Sequence, residues 1–248
     1  MKDRADLPGR RVQLHRALSK LGLGSRKQAW DWVRAGEVEV DGRVVTDPLA
    51  WVDLDRQSVT RRGQAPAPRR DCTLTLYKPR GVVTTRRDEL GRPTVYDLLP
   101  AGLPHVFPAG RLDADSEGLL ILTSDSALAV RLTDPAHAVP KTYRVTVSGR
   151  PAEEALERLR LGVELADGPT RPAGVRLLRS RGRSAVLEVV LTEGRNRQVR
   201  RMLAAVGHRV RRLVRTAIGG LGLEGLAAGA WRLLSEEETR LLLAPPTP

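Results

Sequence analysis

The stretch Gly110-Arg111-Leu112-Asp113-Ala114-Asp115-Ser116-Glu117-Gly118-Leu119-Leu120-Ile121-Leu122-Thr123-Ser124-Asp125 decides how this chain is read. Its second half, Leu119 to Thr123, is short, apolar and opened by a glycine, the pattern of a buried strand. Just before the strand lies a polar loop carrying Arg111, Asp113, Asp115 and Glu117. Loops fixed by a rigid strand are where reactive side chains tend to sit. The carboxylates could form a metal pair or a glycosidase-like acid pair, but their close spacing on one loop disfavours placement on opposite faces of a sugar.

The whole chain narrows the partners. Its 248 residues allow one large domain, or a large one plus a small one, with ample core. Lys and Arg number 42 against 29 Asp and Glu, a formal net charge of +13, which favours nucleic acid first and an anionic membrane surface second. No apolar run reaches the length of a membrane span, and Met1 to Arg11 carries no secretory pattern. The expectation is a soluble cytoplasmic protein. The single cysteine, Cys72, excludes an internal disulfide and a multi-cysteine zinc site. Aromatic residues make up 3%, too few for a broad stacking platform, so arginines and backbone amides must hold any RNA.

Residues 1–10 read as a tail. Leu14, Ala17, Leu18 and Leu21 repeat at helical spacing, Gly22 and Gly24 end that helix, and Ser25 caps a second one running to about Ala35. Val38 and Val40, Asp41-Gly42 and Val44-Val45 form a hairpin pattern. Arg16, Arg26, Lys27, Arg34 and Arg43 are spread over this unit as candidate RNA contacts. Leu23-Gly24-Ser25-Arg26-Lys27-Gln28-Ala29 followed by Gly36-Glu37-Val38-Glu39-Val40-Asp41-Gly42 resembles the S-four (αL-type) RNA-binding domain of ribosomal proteins and RNA-modifying enzymes. The resemblance implies such a domain over residues 11–60. A linker without periodicity follows at 61–71, and a catalytic domain at 72–248.

In the larger part, strands are expected at Thr73 to Tyr77, Lys141 to Ser148, Ala185 to Thr192 and Trp231 to Leu234, with an extended segment from His208 to Thr216. Helices are expected after Gly91–Asp97, over about Ser126 to Leu132, from Pro151 to near Leu161, over about Arg197 to Val206, and at the C-terminus. Without a regular βαβ repeat this is α+β with a mixed sheet. Gly220-Leu221-Gly222-Leu223-Glu224-Gly225 matches the dinucleotide fingerprint in letters only, because no strand and ribose-binding acid can follow it; a glycine-rich turn is the better reading. His15, His105, His137 and His208 are scattered singly and read as structural or surface residues.

Gly194 to Arg215 holds eight arginines and no acid in 22 residues. So dense a field repels itself unless an anion relieves it, and a phosphate backbone would do so. Arg195, Arg197, Arg201, Arg211 and Arg212 are the candidate RNA contacts here.

Gly110 to Asp125 closely resembles the signature loop of the pseudouridine synthases, in the bacterial ribosomal-RNA branch. Gly194-Arg195-Asn196-Arg197-Gln198-Val199-Arg200-Arg201-Met202 and Lys141-Thr142-Tyr143-Arg144-Val145 extend the likeness. In many relatives the position of Arg197 is histidine, and the asparagine-arginine form looks more like enzymes acting on large-subunit rRNA. Ser116 stands where threonine is commoner and keeps the hydroxyl. The resemblance implies a pseudouridine synthase fold, with a mixed, mainly antiparallel sheet flanked by helices, and isomerisation of uridine in rRNA. It implies Asp113 as the catalytic residue. Arg111, Tyr143 and Arg200 would line the substrate pocket, Tyr143 against the target base and Arg200 paired with Asp113.

The chemistry makes its own case for such a set. Breaking the base–sugar bond and rejoining it through carbon five needs an ionised carboxylate as nucleophile or base, with an arginine to keep it ionised and an aromatic wall to hold the freed base. Extruding the nucleotide costs a few kcal/mol. No cofactor or metal is required, and ribosomal RNA is the expected partner of a monomer with no obligate protein partner. A non-catalytic ribosome-assembly factor that kept the fold is the alternative, and a methyltransferase with the same small domain is a third.

Overall fold

In the computed structural model, which describes residues 11–62, 72–223 and 225–244, the chain divides into two units, Met1–Asp71 and Cys72–Pro248. The expected tail 1–10 and most of the expected linker, 63–71, lie outside the described residues.

In the first unit β1 (Arg11–Gln13) leads into α1 (Leu14–Lys20), followed by α2 (Arg26–Arg34). Ser25 Oγ accepts from the Gln28 amide and Gln28 Oε1 accepts from the Ser25 amide, so two orphan donors at the start of α2 are satisfied reciprocally. β2 (Val38–Val40) and β3 (Arg43–Val44) make the expected hairpin, with Asp41 and Gly42 both at positive φ as a type I′ turn requires. β4 (Trp51–Asp53) pairs with β1, and β5 (Val59–Arg61) with β2. Leu14, Leu18, Ala29, Val33, Val38 and Val59 close a small core. Arg61 corrects the linker boundary. It ends β5, donates to Glu37 Oε2 at 3.0 and 2.8 Å, and lies 3.8 Å over the Trp32 ring.

The second unit begins with β6 (Thr73–Lys78), β7 (Phe107–Pro108) and β8 (Glu117–Thr123). Between β6 and β7 no helix follows Gly91–Asp97. Asp97 instead accepts from the Thr94 amide and hydroxyl, closing a turn, and Pro100 and Pro104 prevent its extension. α3 (Ser126–Thr133) starts on an Asp125 cap. β9 (Lys141–Ser148) occupies its expected span, and α4 (Glu153–Leu161) begins two residues after Pro151. β10 (Glu164–Leu165), β11 (Gly168–Pro169) and the edge strand β12 (Gly174–Arg181) were not legible in the pattern, since a bulge between Leu177 and Arg179 breaks the alternation of β12 and puts Arg176, Arg179 and Arg181 on one face. β13 (Ser184–Leu191), α5 (Gln198–Ala205) and β14 (Val210–Ile218) complete the arginine-rich region. β15 (Leu221–Gly222) folds back on β14, which makes the glycine run a tight turn. β16 (Trp231–Leu233) and α6 (Glu236–Leu241) end the described chain.

The sheet order is β12-β13-β9-β14-β8-β6-β16, with β7 on β8 and β15 on β14. All pairings are antiparallel except β8 with β14, so the fold is α+β with a mixed, mainly antiparallel sheet. β8 is buried on both faces: Leu119 and Ile121 face α3, while Leu120 and Leu122 join Leu74, Leu76 and Val106. A second core lies between β9, β13, α4 and α5. The β8/β14 contact places Gly118 against Arg215. Gly118 has φ +111°, and a Cβ there would overlap the Arg215 backbone. Gly118→Ala is therefore expected to destabilise the fold by about 2 kcal/mol or more, read from the urea midpoint at constant m.

Candidate active site

Asp113 sits in the turn that enters β8, and backbone bonds hold the residues on either side of it. Thr84 Oγ1 donates to the Leu112 carbonyl at 2.9 Å and accepts from the Leu112 amide at 3.3 Å. The Gly81 amide donates to the Ala114 carbonyl at 2.7 Å. Leu112 and Ser116 are buried, so the loop is pinned at both shoulders while Asp113 remains half-buried at its crest.

The Gly81–Thr84 segment is itself held from below. Lys78, fully buried at the end of β6, donates to the carbonyls of Pro79 at 3.0 Å and Val82 at 2.7 Å. Desolvation lowers its pKa to about 8, against the pull of Asp113, Asp115 and Glu117, which favour the ammonium.

The arginines meet this loop in an arrangement that differs from the expected one. Arg200 does not bond to Asp113. Its Nη2 donates to the Asp115 carbonyl at 2.9 Å and lies 3.3 Å from Asp115 Oδ2, and its Nε is buried without a hydrogen bond among the described residues. The residue that reaches Asp113 is Arg197, at 3.5 Å from Oδ2. The same guanidinium binds both oxygens of Asp115, at 3.0 and 2.8 Å, in a bidentate pair. Arg197 can do this because it caps α5 in the left-handed conformation, φ +49°, which turns its side chain away from the helix. The conformation is uncommon for a non-glycine residue, and Asp41, Arg62 and Ala138 also adopt it. The hydrogen bonds of Arg197, with Arg200 nearby, hold the Asp115 carboxyl below the usual aspartate range.

The other expected RNA contacts divide in two. Arg212 donates through Nε and Nη2 to Glu117 at 2.8 and 2.9 Å, Arg201 is paired with Asp167, and Arg195 binds Glu193 and the carbonyls of Gly168 and Pro169. These three brace the fold. Arg211 donates its Nε to Ser148 Oγ and leaves its terminal nitrogens exposed. Arg16, Arg26, Lys27, Arg34 and Arg43 are exposed on the first unit and form no ion pair among the described residues.

A cavity of about 400 Å³ opens beside Asp113. Arg111, Asp113 and Tyr143 line it with Leu191, Asn196 and Leu213, so the expected carboxylate and aromatic wall share one space with apolar sides. Arg200 does not line it. Thr84, which ties Leu112, and Gly81, which ties Ala114, are contributors that motif reading passed over, and Asp115 entered it only as one of the loop's carboxylates. Among the described residues no group of three or more His, Cys, Asp or Glu gathers as a metal site.

The model of the RNA pseudouridylate synthase family matches residues 73–205, and that of the S4 domain matches residues 12–48. The chain belongs to the RNA pseudouridylate synthase family. It is 36% identical over 234 residues to the ribosomal large subunit pseudouridine synthase B of Bacillus subtilis (strain 168), covering 94% of this chain and 96% of that one. It is 53% identical over 170 residues to the ribosomal large subunit pseudouridine synthase E of Xanthomonas axonopodis pv. citri (strain 306), covering 62% and 89% of the two chains. A crystal structure of a pseudouridylate synthase superposes with a TM-score of 0.69 at 29% identity, covering 93% of this chain and 99% of that one. The residues matched by the synthase model begin at β6 and end in α5, so they include Lys78, Asp113, Tyr143 and Arg200.

Lys78 gives the site a pH signature. Its folded pKa, about 8, lies below its ordinary value of 10.5, so between these values the unfolded chain binds more protons and stability rises with pH. Below about pH 8 the cost of the buried charge is present in full. Urea unfolding of the wild type and of Lys78→Met over pH 7 to 11 is expected to show a rise between pH 8 and 10.5 that is smaller in the variant, where Lys141, also lowered to about 8 by burial, still contributes it.

Proposed function

We propose that this chain isomerises uridine to pseudouridine in ribosomal RNA, most specifically that of the large subunit, with Asp113 as the catalytic carboxylate. The observation that carries the reading is Asp113 at the crest of a pinned loop, sharing a cavity with Tyr143. The two relatives named for the ribosomal large subunit, one of them matched over almost its whole length, support the choice of RNA. The cytoplasm is where such RNA is met, and no helix among the described residues is long and apolar enough to cross a membrane.

In this reading the target nucleotide leaves its stack and enters the cavity with its uracil against Tyr143. Asp113 acts on the sugar or the base as nucleophile or proton acceptor. Arg197, at 3.5 Å, orients its Oδ2, and through Asp115 it fixes the loop. Arg200 acts one residue further along, on the Asp115 carbonyl and carboxylate. Arg111, exposed at the rim, is placed to meet the RNA rather than the carboxylate. The cavity's apolar walls, Leu191 and Leu213, exclude water from the freed base.

Two outcomes test the assignment. Asp113→Asn is expected to lower tritium release from carbon five of labelled uridine in rRNA by about four orders of magnitude. RNA affinity should change little, and pseudouridine mapping of rRNA from cells lacking the protein should lose the corresponding site. Appreciable release by the variant would remove Asp113 from its role. Arg197→Ala should depress the single-turnover rate at saturating RNA more than Arg200→Ala, by about 10-fold to 100-fold, with partial recovery in Arg197→Lys. A pure affinity defect in Arg197→Ala would make it an RNA contact instead.

A further inference from the structure

Behind the catalytic loop, on the side of Asp115, lies a second and larger cleft of about 850 Å³. Its lining includes Arg80, Arg197, Arg200, Arg209 and Arg211 with a single carboxylate, Asp115. Arg197 and Arg200 are committed to that carboxylate. Arg80 and Arg209 are exposed, and their side chains make no hydrogen bond or ion pair among the described residues. Three guanidinium groups therefore share one concave surface with no protein anion left for them, a repulsive arrangement that an external polyanion would relieve.

The cleft is also organised. The Ser148 hydroxyl accepts from Arg211 Nε at 2.8 Å, and the Ser148 carbonyl bonds the His208 ring at 3.0 Å. The Ser148 amide in turn donates to the Arg209 carbonyl at 2.9 Å. The end of β9 thus fixes the backbone that carries Arg209 and Arg211 at the entry to β14, while Arg80 projects from the turn after Lys78. Arg197 lines this cleft and the cavity beside Asp113 alike, so the two spaces share it as a wall.

We propose that this cleft seats the sugar–phosphate backbone of the RNA strand adjoining the target nucleotide, with Arg80, Arg209 and Arg211 gripping its phosphates. The inference rests on the RNA substrate proposed above and gives the strand a direction across the enzyme: base on the Tyr143 side of Arg197, neighbouring phosphates on the Ser148 side. Arginine suits the task because its planar fork binds phosphate oxygens in pairs.

The test is fluorescence anisotropy of the full chain with a labelled single-stranded oligouridylate of about 12 nucleotides, across a salt series. Arg80→Ala, Arg209→Ala and Arg211→Ala should each weaken binding several-fold and reduce the slope of log affinity against log salt by about 0.7, and the triple variant by about 2. The triple lysine variant should keep the slope. A charge-matched control triple at Arg131, Arg158 and Arg181, exposed elsewhere on the unit, should bind as the wild type does. Wild-type affinity and slope in the triple alanine variant would overturn the proposal. So would an affinity loss with an unchanged slope, or an equal loss in the control. Binding is read without turnover, so the two readings fail separately. A chain that left rRNA uridines unchanged but showed the slope change would lose the proposed reaction and keep the cleft. One that isomerised uridine with an unaffected triple variant would lose only the cleft.

Discussion

A lysine ammonium buried at the end of β6 is the point from which the catalytic unit's geometry is set. Lys78 is closed off from bulk solvent, so it draws its hydrogen bonds from the carbonyls of Pro79 and Val82. That requirement curls the following residues into one conformation. Gly81 and Thr84 then present the groups that hold Ala114 and Leu112. A catalytic carboxylate gains little from a strong acid–base character if its position wanders, because misplacement by about 1 Å can cost 100-fold in rate. Here the shorter bonds go to the neighbours of Asp113, which itself meets Arg197 at 3.5 Å from one oxygen.

The arginine run shows how far a charge count can mislead about individual residues. Eight arginines without an acid in 22 positions look like a surface made for phosphate. The fold brings carboxylates to five of them from elsewhere in the chain: Asp115 to Arg197 and Arg200, Asp167 to Arg195 and Arg201, and Glu117 to Arg212. Arg215 is buried, donating to the Leu119 carbonyl. What remains exposed and uncommitted is a smaller set, concentrated at one place, and the density of the run reflects two duties laid on the same stretch.

The larger outline was legible because it depends on local signals. Ser25 with Gln28, Asp41 with Gly42, the double-sided apolar run of β8 and the span of β9 all follow from residues that decide their own backbone. The failures share a cause as well. β12 is an edge strand whose stability comes from the ladder with β13, and its own arginine-studded pattern gives no period. The Thr94–Asp97 turn competes with a helix through a side-chain bond that composition does not reveal. For the site, motif order placed Asp113 and Tyr143 in one cavity. It could not say which of two arginines three positions apart would reach the aspartate. That depended on the left-handed backbone of Arg197, a conformation with no sequence signature in an arginine.

The parallel contact between β8 and β14 bears on how the enzyme comes into being. It joins Glu117 and Gly118 to Val214 and Arg215, the one parallel strand pairing among the described residues. Closing a chain segment of that length costs about 4 kcal/mol in loop entropy before any bond repays it. Until the closure is made, the segment bearing Asp113 and the helix bearing Arg197 are tethered only through the strands between them. β14 bridges them, pairing with β9 on one side and β8 on the other, and its Leu213 lines the cavity beside Asp113. A nascent chain halted before β14 would hold every residue of the signature loop and still have no active site.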